Sequence, residues 1–239
     1  MDSTNTPVRR RRSEKGARTR ERIFQSALAR FRHAGFAETS LRSIAADAGV
    51  TPALCYRYFD SKDALVAELY GRLLDEWHER AQALPRGTWI QRALWLTRLA
   101  IEVLEPYRTL LRALLPPMLE GHPTASPLHN PASRRRGEPM FLRAVAEADD
   151  APSDPRALGD AAFLAQLALL FFWAVDRSRG QRATHALLGA LEAGAPVLRL
   201  ALRTPLVGAR ILSLGASVRL GLAGEPTDPE APAVEAPAS

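Results

Sequence analysis

The side chains with the most specific chemistry fall in one short stretch, residues 39 to 62, where hydroxyls and cations recur at close spacing. Thr39, Ser40, Tyr56, Tyr58 and Lys62 are candidate phosphate anchors, because hydroxyls and a cation near helix N-termini complement negative oxygens. Thr51, Pro52, Ala53, Leu54 and Arg57 lie along a second short segment whose leading end can meet base edges in a duplex groove. Thr51 can hydrogen-bond there, and Pro52, Ala53 and Leu54 can touch thymine methyl groups. Arg57 or Arg42 can make a bidentate contact to guanine. Lys62 is one of two lysines among 32 basic residues, which suits a point-charge contact.

Helices must position these groups. From about Thr19, the residues Ile23, Phe24, Ala27, Leu28 and Phe31 recur at three- and four-residue steps, and the pattern stops at Gly35. A second unit has Thr39 or Ser40 as N-cap and Leu41, Ile44, Ala45 and Ala48 as its apolar face, with Gly49 as the breaker. Thr51 caps a third, with Pro52 at the first helical position and Leu54, Cys55, Tyr58 and Phe59 on its packing side. Ser61 caps a fourth. Two short helices joined by Ala48-Gly49-Val50-Thr51 form a helix-turn-helix signature. In any tight helical corner Tyr58 and Phe59 belong to the core, and Cys55 reads as a small buried hydrophobe.

The whole run Ile23…Ala27-Leu28…Phe31…Gly35-Phe36…Thr39-Ser40…Ile44-Ala45…Ala48-Gly49-Val50-Thr51…Tyr56-Arg57-Tyr58-Phe59…Ser61-Lys62…Leu65 resembles the N-terminal domain of the TetR family of bacterial transcriptional regulators. The resemblance covers about residues 19 to 66; beyond it, the chain resembles the family only in being all-α. Ala53 stands where a glycine is common. The resemblance implies a three-helix DNA-binding head, a linking helix, and a divergent C-terminal domain that binds a small ligand and forms a homodimer. It favours Arg42 as the base-reading arginine and lifts Tyr58 from the core toward a phosphate role.

Charge is distributed as a nucleic-acid-binding head would require. Residues 1 to 62 hold 13 Lys+Arg against 6 Asp+Glu, so all of the chain's net +6 resides in that segment. Arg9 to Arg12 sit in a basic stretch just before the first periodic helix, where a flexible arm can add phosphate or minor-groove contacts. A single cysteine excludes an intrachain disulfide and fits a reducing compartment, hence a cytoplasmic location with no membrane partner. No export signal is legible at the N-terminus.

The expected fold class is all-α, divided as a basic arm (1–17), a helix-turn-helix domain (18–63), a helical ligand-binding and dimerisation domain (64–222) and a Pro/Ala-rich disordered tail (223–239). In the body, Leu65, Leu69, Leu73 and Trp77 mark one stripe, and Ile90, Leu94, Ile101 and Leu104 another. A helix is expected from Pro106 to Pro116-Pro117, then a loop over 121–137 and a short helix from Pro139 to Ala148. Next come two long helices, Arg156 to Arg177 and Gln181 to Arg203, the second interrupted at Pro196. The most apolar run, Ala161 to Val175, contains Gln166 and is shorter than the roughly 20 residues of a membrane span. Val207 to Leu222 can add one more helix.

Such a head reads few base pairs, so specific binding uses two copies on a pseudo-palindromic site. The family pairs the last two long helices as a four-helix interface; filling one monomer's core would bury the same faces. A pocket for an apolar ligand, implied by the family, has Trp77, Trp95, Tyr107, Met118, Phe141, Phe163 and Trp173 as candidate lining. The four body histidines share no ligand-like spacing, so no metal and no cofactor are expected. Neither a phosphate loop nor a G-x-S-x-G or H-E-x-x-H motif is present, which argues against an enzyme. The expected function is a DNA-binding, ligand-responsive repressor acting as a homodimer; the alternative is a helical ligand-binding or interaction protein that has lost DNA binding.

Overall fold

The structure, a computed structural model, describes residues 6–119 and 131–204. Among these residues the chain is helix and turn throughout: α1 (Thr6–Ala34), α2 (Leu41–Asp47), α3 (Pro52–Tyr58), α4 (Lys62–Ala81) and α5 (Trp89–Leu104) come first. A 3-10 turn at Glu105–Tyr107 leads into α6 (Arg108–Leu119), α7 (Pro131–Ala146) and α8 (Pro155–Val175). A second 3-10 turn at Arg179–Gln181 precedes α9 (Arg182–Ala193) and α10 (Ala195–Arg203).

The periodic face of α1 is buried as its spacing dictates, and Ile23, Phe24, Ala27, Leu28 and Phe31 pack with Leu41, Ile44 and Ala45 of α2, Cys55 of α3 and Phe59. α4 extends this core. Leu65, Val66 and Leu69 belong to the head, and further along the same helix Leu73 and Trp77 join residues of α5, α7 and α8 in one continuous apolar cluster. Each fully buried side chain of this size stabilises the fold by about 1.5–3 kcal/mol, and the cluster runs without a break from head to body.

Polar contacts reinforce that junction. Arg72 of α4 donates to both oxygens of Glu21 on α1, at 3.0 and 2.6 Å, and to Glu68 at 2.7 Å, while its guanidinium lies 4.0 Å from the centroid of the Phe24 ring. Arg20 pairs with Glu68 from the other side. In the body, buried Arg92 of α5 donates to the carbonyls of Ala144 and Pro85, both at 2.8 Å, which ties α5 to the end of α7. α7 and α8 approach so closely that a Cβ at Gly159 would come within 2.9 Å of the Leu142 Cα, which explains the glycine there.

Several boundaries differ from the sequence reading. α1 begins at Thr6, so residues 6–17, including the Arg9–Arg12 run, prolong the helix instead of forming a separate flexible arm. α6 continues through Pro116-Pro117 to Leu119, and α7 starts at Pro131, inside the stretch expected to be loop. Pro139 is tolerated within α7 because it lies on an exposed side, where the carbonyl its ring leaves without a donor can be hydrated. The interruption near Pro196 is real: α9 ends at Ala193, and Pro196 sits in the first turn of α10. α8 is 21 residues long, and by length and composition it could cross a membrane; here it packs in the bundle through Leu158, Phe163, Gln166, Leu169 and Trp173. The expected helix at 207–222, the tail at 223–239 and most of the 121–137 loop lie outside the described residues.

Candidate nucleic-acid interface

The corner between α2 and α3 is built from local chemistry. Ser40 caps α2, its hydroxyl accepting from the Ser43 amide at 3.1 Å while the Ser43 hydroxyl accepts from the Ser40 amide at 3.1 Å. α2 ends in a Schellman motif: the Val50 amide donates to the Ala45 carbonyl at 3.0 Å and the Gly49 amide to that of Ala46 at 3.1 Å. Gly49 has φ +60°, the left-handed conformation that such a closure needs. Thr51 then caps α3, accepting from the Leu54 amide at 3.2 Å, and Pro52 occupies the first turn, where no donor is missed. Arg30 of α1 holds the back of α2 with a two-pronged contact to Asp47, at 2.7 and 3.0 Å.

The outer edge of this corner carries most of the residues singled out from sequence. Thr51, Pro52, Ala53, Arg57 and Arg42 are exposed, and Leu54 is half-buried. Arg42 and Arg57 make no side-chain hydrogen bond or ion pair among the described residues, whereas Arg20, Arg30 and Arg72 are all committed to carboxylates. The unneutralised cations of the corner therefore sit at its outer edge. Ser40 and Tyr56 are also exposed, Tyr56 at 51%. Cys55 is fully buried, and burial pushes its thiol above the ordinary range, as befits a packing residue.

Three candidate phosphate anchors are placed differently. Thr39 is 2% exposed and its hydroxyl donates to the Gly35 carbonyl at 2.7 Å, so it closes the α1–α2 turn and cannot reach a ligand. Lys62 turns inward: its ammonium donates to the carbonyls of Phe36 at 2.7 Å and Ala37 at 3.3 Å and lies 4.5 Å from the centroid of the Phe36 ring. It pins the start of α4 to that same turn. Tyr58 is half-buried, packed on the head core, with its hydroxyl beside Gly16 of α1.

A second feature lies in the body. A partly open cavity of about 160 Å³ lies between α4, α5, α6, α7 and α8. Of the residues proposed from sequence for a ligand pocket, Trp77, Phe163 and Trp173 line this cavity, together with Leu73, Val103 and Gln166, which were not among them. Phe141 is in the core beside Phe163, at 5.9 Å between ring centroids; Trp95 is not among the described lining, nor is Tyr107, which packs against the Leu111–Trp173 cluster at the cavity's edge with its ring 5.6 Å from the Arg32 guanidinium of α1. The Met118 side chain lies outside what the structure describes. The Trp173 indole donates to Glu105 at 3.1 Å, so the cavity wall is bonded to the 3-10 turn that carries Tyr107.

Against known proteins, a family model described as bacterial regulatory proteins, tetR family, matches residues 23–69, from the buried face of α1 to the head-contacting part of α4. Residues 23–69 thus form a domain of the tetR-family type. Over 59 residues it is 37% identical to HTH-type transcriptional regulators of Mycobacterium tuberculosis and Mycobacterium bovis, described as uncharacterized; the match covers 25% of this chain and 28% of each relative. The chain thus spans under a third of the length of the curated relatives it matches. The fold is similar over a longer stretch to that of a tetR-family transcriptional regulator from Streptomyces coelicolor, with a TM-score of 0.59 at 18% identity, covering 84% of this chain and 89% of that one. A TetR transcriptional regulator from Nitrosomonas europaea gives 0.54 at 22% identity, covering 74% and 97%. The two-part helical architecture is therefore that of TetR-family structures, the head carrying the sequence likeness and the body only the fold.

Proposed function

We propose that this TetR-family chain is a ligand-responsive transcriptional repressor that binds a pseudo-palindromic duplex site as a homodimer. The observation that carries the reading is the outer edge of the α2–α3 corner, where Thr51, Pro52, Ala53 and Leu54 offer small or apolar contacts and Arg42 and Arg57 have no partner among the described residues. In this reading Arg42 reads bases, and Ser40 and Tyr56 anchor the flanking phosphates. Thr39 and Lys62 support the corner from within.

The dimer reading is supported by apolar surface left uncovered on α8 and α9. Phe171, Phe172, Val175 and Leu187 are exposed, while Trp173, Leu169 and Leu188 of the same helices are buried in the monomer, so the two helices are split between inner and outer faces. Response to a ligand is supported by α4, which lines the cavity with Leu73 and Trp77 and grips the head through Arg72, Glu68 and Lys62. A ligand that favours one position of α4 shifts the spacing of two heads by as much free energy as its affinity differs between the two states.

Selection of bound fragments from a random duplex library with the full-length chain tests the proposal. The expected outcome is enrichment of a two-fold symmetric site with half-sites about one helical turn apart. Recovery of fragments without symmetry would remove the homodimer from the reading, and no enrichment at all would remove sequence-specific repression.

A further inference from the structure

Gln166 is the polar exception in the cavity wall. It is 6% exposed, and its Oε1 is buried without a hydrogen-bond partner among the described residues. The rest of the described lining is apolar apart from Tyr70, and no charged side chain is among it. Buried polar atoms are nearly always paired, and leaving one unpaired destabilises a fold that a leucine at the same place would not. α8 is otherwise apolar on almost every side through this region, so nothing in the packing calls for a carboxamide.

We propose that the cavity binds a small neutral molecule of about one aromatic ring bearing a hydroxyl group, and that Gln166 is the residue that selects the hydroxyl. This rests on the reading that the body takes a small-molecule ligand. Size follows from volume: the cavity is about 160 Å³, and an apolar protein cavity of roughly 150 Å³ accommodates benzene. Neutrality follows from the wall, because a carboxylate or ammonium there would be desolvated with no opposite charge to meet it. The hydroxyl follows from the carboxamide. A hydroxyl both donates and accepts, so it satisfies the amide through its carbonyl and through its NH2 alike. A ligand with a methyl group in that place would leave the carboxamide unpaired.

The test compares 4-methylphenol with 1,4-dimethylbenzene, which differ by one hydroxyl-to-methyl exchange, in calorimetric titrations of the full-length wild type, Gln166→Leu and Gln166→Met. Wild type is expected to bind the phenol about ten- to a hundredfold more tightly than its methyl analogue, the range set by one buried polar group left unpaired. Both variants are expected to lose that preference, and Gln166→Leu to melt at a higher temperature than wild type when no probe is present, which a residue kept for structure would not do. Equal binding of the two probes by wild type, retention of the preference by both variants, or binding of neither probe at millimolar concentration overturns the assignment. Duplex binding is measured on the same preparations. A wild type that binds duplex but shows no hydroxyl preference removes this inference alone, whereas a wild type that shows the preference but binds no duplex removes the repressor reading alone.

Discussion

Replacing Arg72 with methionine isolates the polar clamp between head and body. The guanidinium donates to Glu21 at 3.0 and 2.6 Å and to Glu68 at 3.2 and 2.7 Å, and it stacks 4.0 Å from the Phe24 centroid. The side chain is 40% exposed, so each carboxylate pair contributes about 0.2–1 kcal/mol and not the several of a buried pair. The cation–π contact adds about 0.5–1 kcal/mol. Methionine keeps part of the apolar contact with Phe24, and Arg20 still faces Glu68, which leaves a net loss of about 1–2 kcal/mol. Urea unfolding at neutral pH, followed by tryptophan fluorescence, measures it. Acid adds a second signature. The hydrogen bond from Arg72, and after it that from Gln25, holds the Glu21 carboxyl down at about 2 instead of 4.5. A depressed folded-state value means that the contribution is complete above 4.5 and disappears as pH falls toward 2. The stability gap between wild type and Arg72→Met should therefore close across that window. A gap below about 0.3 kcal/mol at neutral pH, the usual resolution of such comparisons, or one that stays constant into acid, would refute the clamp.

The remaining predictions concern the corner and the outer faces. Gly49→Ala forces a side chain into the left-handed region without any steric clash and should cost about 1–2 kcal/mol in thermal or urea unfolding; an unchanged midpoint would show that the turn relaxes. Lys62→Met removes two hydrogen bonds to the α1–α2 turn and should destabilise by about 1 kcal/mol. If it instead weakens DNA binding at unchanged stability, the inward placement of the ammonium is wrong. Phe172→Glu combined with Leu187→Glu puts charge on the exposed apolar faces of α8 and α9 and should yield a monomer in sedimentation at micromolar concentration. A persistent dimer would move the interface elsewhere.

The head was almost fully legible in the sequence because its determinants are local. Caps at Ser40, Thr51 and Ser61, the glycine at position 49 and the three- and four-residue spacing of Ile23 to Phe31 all act over a few residues, and each is realised. The roles of Thr39 and Lys62 were not legible. Both depend on where the carbonyls of Gly35, Phe36 and Ala37 point, which is a property of the folded turn. In the body, the prolines misled in opposite ways: Pro116-Pro117 does not end α6, and Pro131 opens α7. Asn130-Pro131 is itself a cap-and-first-position signal that could have located that start. The cavity was hardest to foresee, since aromatic residues were favoured as its wall while leucines, a valine and Gln166 supply much of it from four helices distant in sequence. Gln166 stood out only as a break in an apolar run.

Equilibrium binding of the full-length chain to its selected duplex and to random duplex, over a range of salt concentrations, decides whether the α2–α3 corner is a DNA-binding edge. Binding to both is expected, weakening with a log–log slope of about −0.9 per phosphate neutralised. Tyr56→Phe should weaken both alike, and Arg42→Ala should narrow the difference between them. Failure of the wild-type chain to bind any duplex at low ionic strength would contradict that role for the corner.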